Sequence, residues 1–181
     1  QSVGEFPNTP PLSPAAEAYQ QVGLTDVRIT YSSPAVRERE IWGGLVPYGE
    51  NWRAGANAPT QLHVSNDFEF GGTAVPAGEY TLIILPEEDA WTFILNADSA
   101  GRGVYEYDAA EDVARVTVTP EEGPDRERLL YVFDETTNST THLTLEWAGL
   151  QAAVPISVPT DTLVMANVDA ALGSLWRPPY R

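Results

Sequence analysis

Short runs of strand-forming residues, each closed by glycine or proline chemistry, do most to restrict the folds open to this chain. Residues 24–31 alternate, with Val27 and Ile29 on one face and Arg28 and Thr30 on the other, the period of a half-buried strand. Similar runs follow at 60–65, 80–85, 91–96, 113–119, 129–133 and 141–147. Between them lie Gly71-Gly72, Pro76-Ala77-Gly78, Pro86-Glu87-Glu88-Asp89 and Glu122-Gly123-Pro124, residues that supply the backbone angles a reversing chain needs. Roughly seven to nine short strands on hairpin-length links predict an all-β fold, an antiparallel β-sandwich or jelly-roll-like domain.

Both ends have a different texture. Pro7, Pro10, Pro11 and Pro14 forbid a regular ladder, so residues 1–23 read as a Pro-rich N-terminal arm. Ser13 and Pro14 then offer an N-cap and first-turn pair for a short helix over 15–21. At the other end, Val164, Val168, Ala171, Leu172 and Leu175 recur at helical spacing behind Thr160 and Asp161, which predicts a C-terminal helix over 160–176. Its apolar stripe calls for cover, from its own sheet or from a neighbouring subunit. The expected organisation is an arm at 1–23, a β-domain at 24–158, and a helix and tail at 159–181.

Composition narrows the partners. A chain of 181 residues is a single domain by size, able to bury about 70% of its unfolded surface without staples. Ten Lys and Arg against 26 Asp and Glu leave a formal charge of −16 spread along the chain. That field repels phosphate backbones and anionic lipid, so nucleic acid is excluded as a partner, and the charge itself suits solubility in salty surroundings. No run approaches the ~18 apolar residues of a membrane span, and there is no cysteine to carry a lipid or a disulfide. The opening at Gln1, followed by small, polar and proline residues, reads as a mature N-terminus left by a signal peptidase, which places the chain outside the cytoplasm, extracellular or periplasmic.

The densest unusual stretch is 41–57, where Gly43, Gly44, Pro47, Gly49 and Gly55 sit between Trp42 and Trp52. As a ligand loop, Trp52 and Tyr48 would stack on a sugar while Arg53 and Asn57 hydrogen-bond to it. As a structural crossover, the tryptophans would fill the core and Arg53 would pair with Glu38 or Glu40, and the structural reading is preferred because large aromatics beside a paired arginine are usually core. No metal is expected: His63 and His142 stand far apart without cysteine, and residues 98–103 have too few acidic ligands for a calcium loop. No cofactor motif and no serine-nucleophile elbow occur, so no catalytic residue is assigned.

The strings Val27-Arg28-Ile29-Thr30-Tyr31-Ser32-Ser33-Pro34, Arg37-Glu38-Arg39-Glu40-Ile41-Trp42-Gly43-Gly44-Leu45-Val46-Pro47-Tyr48-Gly49 and Trp52-Arg53-Ala54-Gly55-Ala56-Asn57 resemble the signature of a bacterial family known as domain of unknown function 2911. Val75-Pro76-Ala77-Gly78-Glu79-Tyr80-Thr81-Leu82 and Trp91-Thr92-Phe93-Ile94-Leu95-Asn96 are similar to its middle blocks, and the resemblance spans 24–150. It implies an exported β-domain and transfers no catalytic residue.

Three functions follow in order of preference. The first is a non-catalytic structural subunit that associates with other copies of itself through its arm and tail helix. The second is a polysaccharide-binding module using Trp42, Tyr48, Trp52 or the pair Tyr105 and Tyr107 as stacking platforms. The third is a hydrolase working through two carboxylates.

Overall fold

The computed structural model describes residues 9–99, 104 and 106–175. Among them are twelve strands: β1 (Ala15–Val22), β2 (Thr25–Ser32), β3 (Thr60–Val64), β4 (Phe68–Phe70), β5 (Thr73–Val75), β6 (Gly78–Pro86), β7 (Trp91–Asn96), β8 (Asp112–Val118), β9 (Glu121–Glu122), β10 (Leu130–Asp134), β11 (Thr140–Trp147) and β12 (Leu150–Ser157). One helix, α1 (Thr160–Leu175), follows them. The strands form two antiparallel sheets, ordered β1-β2-β3-β6-β7-β8 and β10-β11-β12-β4-β5, with β9 pairing beside β12. The expected all-β sandwich is the fold observed.

The core lies between the sheets because each strand turns its apolar alternate inward. Val27 and Ile29 of β2, Leu62 and Val64 of β3, and Leu82 and Ile84 of β6 face Leu143 and Leu145 of β11 and Val154 and Ile156 of β12, all fully buried. The two sheet edges also meet, β1 against β10 and β5 against β8, so the sandwich is nearly closed on itself. Closure of this kind limits the open edges that invite unwanted pairing.

The N-terminal region corrects the predicted helix over 15–21. Residues Ala15 to Val22 pair with β2 along their whole length, from Ala15 opposite Ser32 to Val22 opposite Thr25. Alanine, glutamate and glutamine favour a helix locally, but a preformed neighbour offers eight residues of ladder bonding, and tertiary pairing overrides a weak propensity. A two-residue turn makes this possible, since Gly23 adopts φ +57, a conformation that costs glycine little. The β-domain therefore begins at Ala15, not at residue 24, and the arm is correspondingly shorter; residues 1–8 lie outside the described part.

The tail helix forms where predicted, and of the two covers open to its apolar stripe, its own sheet does not supply one. Thr160 is buried and its Oγ1 donates to the Asn138 carbonyl at 2.6 Å, which fixes the root. A Cβ at Gly23 would collide with Thr160 and with the Asn138 carbonyl, so the β1–β2 turn and the helix root fit only because that residue is glycine. Beyond the root every residue from 164 to 173 is exposed. No helix among the described residues is long and apolar enough to cross a membrane.

Candidate functional site

The chain between β2 and β3 runs from Ser33 to Pro59 without a regular strand, yet it is tightly held. Trp52 exchanges two backbone bonds with Ile84 of β6, at 2.7 and 2.9 Å, which fixes the middle of the crossover to the central sheet. Thr60 Oγ1 and Tyr131 Oη both donate to the Ala54 carbonyl, at 3.0 and 2.8 Å, from opposite sheets. Gly43 has φ +78, and a Cβ there would lie 2.9 Å from the ring of Tyr48, so the tight turn and the packed tyrosine both require glycine.

The two tryptophans of this stretch join two from the sheets. The Trp42 ring centroid lies 4.2 Å from Trp91 of β7, 5.8 Å from Trp147 of β11 and 5.8 Å from Trp52. Trp52 stacks on Trp147 at 6.0 Å with an interplanar angle of 15°. Aromatic pairs add about 0.5–1.5 kcal/mol each beyond their buried area, so this four-ring group is a strong clamp on the crossover. Trp91 and Trp147 are fully buried and Trp42 and Trp52 half-buried. Trp42 Nε1 donates to the Trp147 carbonyl at 3.3 Å and Trp52 Nε1 to Gly55 at 3.2 Å, whereas the buried indole nitrogens of Trp91 and Trp147 have no acceptor among the described residues.

Arg53 does not turn to Glu38 or Glu40 as expected; its Nη1 donates to the Asn57 carbonyl at 2.8 Å, and Asn57 Nδ2 donates to the Ser13 carbonyl at 3.2 Å. Asn57 holds φ +56, a conformation asparagine tolerates better than most residues. Of the five residues singled out in the sequence, Trp52, Arg53 and Asn57 share one cleft of about 320 Å³, while Trp42 and Tyr48 pack away from its wall. The same cleft is lined by Arg39 and by Trp147. Neither was singled out as a ligand residue, since Arg39 sits in an alternating Arg-Glu run and Trp147 ends an ordinary strand.

All ten basic residues are arginines, and several gather at this end. Arg37 Nη2 and Arg128 Nη1 both reach the Leu12 carbonyl, at 3.1 and 3.4 Å, and Ser33 N donates to the Pro14 carbonyl at 2.8 Å. These bonds strap the start of the β-domain down beside the cleft.

Elsewhere the polar side chains are engaged with one another. Asp112 accepts from Tyr107 Oη at 2.6 Å, Arg115 Nε at 2.8 Å and Asn96 Nδ2 at 2.9 Å. Burial first, and the hydrogen bond to Asp112 second, raise the Tyr107 hydroxyl above its usual range. Tyr107 is thus held in a network; Tyr105, like residues 100–103 of the weak calcium-loop pattern, lies outside the described part. His142 Nδ1 is 3.2 Å from Glu135 and 3.9 Å from Asp134, and His63 faces Glu79 across the β3–β6 ladder. Among the described residues no three metal-binding side chains come together.

Fold and site define an antiparallel β-sandwich with an aromatic-clamped crossover and a projecting terminal helix. The chain belongs to the family described as protein of unknown function (DUF2911), which matches residues 13–156. The matched span includes β1 and most of β12, more than the resemblance carried by the sequence strings, and stops short of α1. No curated protein and no solved structure matches the chain.

Proposed function

We propose that this chain is an exported, non-catalytic β-domain that joins copies of itself head to tail into an extracellular assembly. The observation that carries the reading is α1: Val164, Met165, Val168 and Leu172 are 41%, 59%, 44% and 60% exposed. Apolar surface left in water costs roughly 25 cal/mol per Å², so a helix held out from its domain in this way is stabilised by a partner. A second feature supplies the seat. At the root of α1, Phe68, Val158 and Pro159 floor an apolar cleft of about 330 Å³.

A straight helix cannot fold back onto a cleft at its own root, so the helix of one copy and the cleft of another are the natural pair. Each copy then gives one contact and receives one, and such heterologous interfaces run on into rings or open filaments. The preference for a non-catalytic role is supported by the engagement of Asp112 with three donors and of Glu146 with Arg126 at 2.8 Å, which ties these two carboxylates into structural contacts. An exported location belongs to the same reading, as does the acidic surface, which keeps copies apart until a specific contact forms. Electron microscopy of the purified full chain tests it. Rows or filaments of the β-domain are expected, and a field of single 19.7 kDa particles at high concentration and high salt, where charge repulsion is screened, overturns it.

A further inference from the structure

A second cleft, on the outer face of the first sheet, holds polar groups that the fold itself leaves unused. On β2 the side chains of Arg28, Thr30 and Ser32 alternate with the core residues Val27, Ile29 and Tyr31, so they leave the sheet on its outer face. Ser32 and Thr30 both line the cleft there. Ser32 is only 8% exposed, yet its hydroxyl has no partner among the described residues, and neither has that of Thr30. Ser33 beside it donates to the Leu129 carbonyl at 2.7 Å. Buried polar groups are nearly always hydrogen-bonded, so an unused hydroxyl walled into a cleft marks a place for something that enters. We propose that this cleft binds a sugar ring of a neutral polysaccharide through the hydroxyl groups of that ring.

The strand register supplies the rest of the grip. Glu17 of β1 lies opposite Thr30, and Thr30 opposite Gln61 of β3, so three polar groups stand side by side across three strands, neighbours ~5 Å apart. Gln61 Nε2 is committed to the Ser99 carbonyl at 2.6 Å, so oxygen is what this side chain offers the cleft. The Glu17 carboxylate accepts as well, and Arg28 Nη1 at 3.7 Å offsets its charge. Two acceptors, with two hydroxyls that both give and accept, suit a ligand rich in O–H groups. The balance of Glu17 against Arg28 favours an uncharged ligand.

Ala15, Ala58 and Pro59 form the apolar part of the wall. Tyr19, on the same face two residues beyond Glu17 and about 7 Å from it, is 56% exposed, and its hydroxyl is fixed on Asp26 at 2.6 Å. That anchored ring is an apolar plane on which the next sugar of a chain can pack. The volume, about 420 Å³, falls within the range of small-molecule sites. Binding here uses neither α1 nor a second copy of the chain.

Calorimetric titration of the full chain with neutral pentaoses of glucose, galactose and mannose tests the proposal. The controls are a methyl-capped ethylene glycol oligomer, which has oxygens but no hydroxyl donors, and n-butylammonium, which has only a cationic donor. At least one pentaose is expected to bind ~10-fold or more tightly than either control. Ser32→Ala and Thr30→Val are each expected to weaken that binding ~5-fold or more without lowering the melting temperature, since neither loses a bond within the fold. Thr117→Val, which removes a hydroxyl paired with Thr92 at the far edge of the same sheet, is expected to leave binding unchanged. If Ser32→Ala proves unstable, Thr30→Val decides. No pentaose binding at about 10 mM, either control binding as tightly as the sugars, or unaltered affinity in a folded Ser32→Ala variant each overturns it.

Discussion

At the scale of residues, the two sheets are joined through polar groups in an apolar place. Tyr131 is buried, donates its hydroxyl to the Ala54 carbonyl at 2.8 Å, and receives its neighbour's ring edge-on, with Tyr31 at a centroid distance of 4.9 Å. Burial, then the proximity of Tyr31, raises the Tyr131 hydroxyl well above its ordinary value, because a phenolate would be desolvated there. The unfolded chain releases this proton near pH 10 while the folded chain retains it, so the unfolded state binds fewer protons above that pH and stability falls as pH rises. Below it both states are neutral and the group gives no slope. Urea unfolding on either side of pH 10 checks this: the wild-type midpoint is expected to fall steeply on the alkaline side, and Tyr131→Phe, less stable at neutral pH for want of its hydrogen bond, is expected to show a shallower fall. An equally steep fall in the variant would assign the alkaline loss to other groups.

At the scale of elements, β1 is an integral part of the sheet. Its eight-residue ladder covers the edge of β2 and lies against β10, closing one side of the sandwich. Removing residues 1–22 is therefore expected to give a chain without a cooperative thermal transition by circular dichroism; a truncated protein melting within a few degrees of the full chain, the shift of only about 1 kcal/mol, would show that β1 is an accessory. The sequence hides this strand for a physical reason. Ala15, Ala16, Glu17 and Ala18 are helix formers, and what makes them a strand is a partner that local propensity cannot see. β12 is hidden likewise, because Pro155 lacks a donor and reads as a break. In the fold its outer neighbour at that point is Gly71, whose N–H donates to the Pro155 carbonyl at 2.8 Å, so the missing donor is not needed. Strands β2, β3, β6, β7, β8, β10 and β11 were legible because alternation and turn residues are local signals. Of the cleft, Trp52, Arg53 and Asn57 were legible as a glycine-spaced aromatic stretch. Arg39 was masked by its charged neighbours, and Trp147 by the 89 positions between Asn57 and its own, a separation only the fold can close.

At the scale of the whole molecule, a nearly closed sandwich carries one element it does not absorb. The family match ends at residue 156 and α1 begins at Thr160, so the helix lies outside the matched span. Its root is anchored by Thr160 against Asn138 and Gly23, which holds the rest away from the sheets with its apolar side chains in water. Cutting after Pro159 removes no strand and leaves the core between the sheets intact. Sedimentation velocity, run on the full chain and on residues 1–159 over the same concentration series at high salt, measures what that helix does. The full chain is expected to sediment as growing multimers while the truncated chain stays a folded monomer at every concentration; a full chain that remains monomeric throughout, or a truncated chain that associates just as strongly, would overturn assembly through α1.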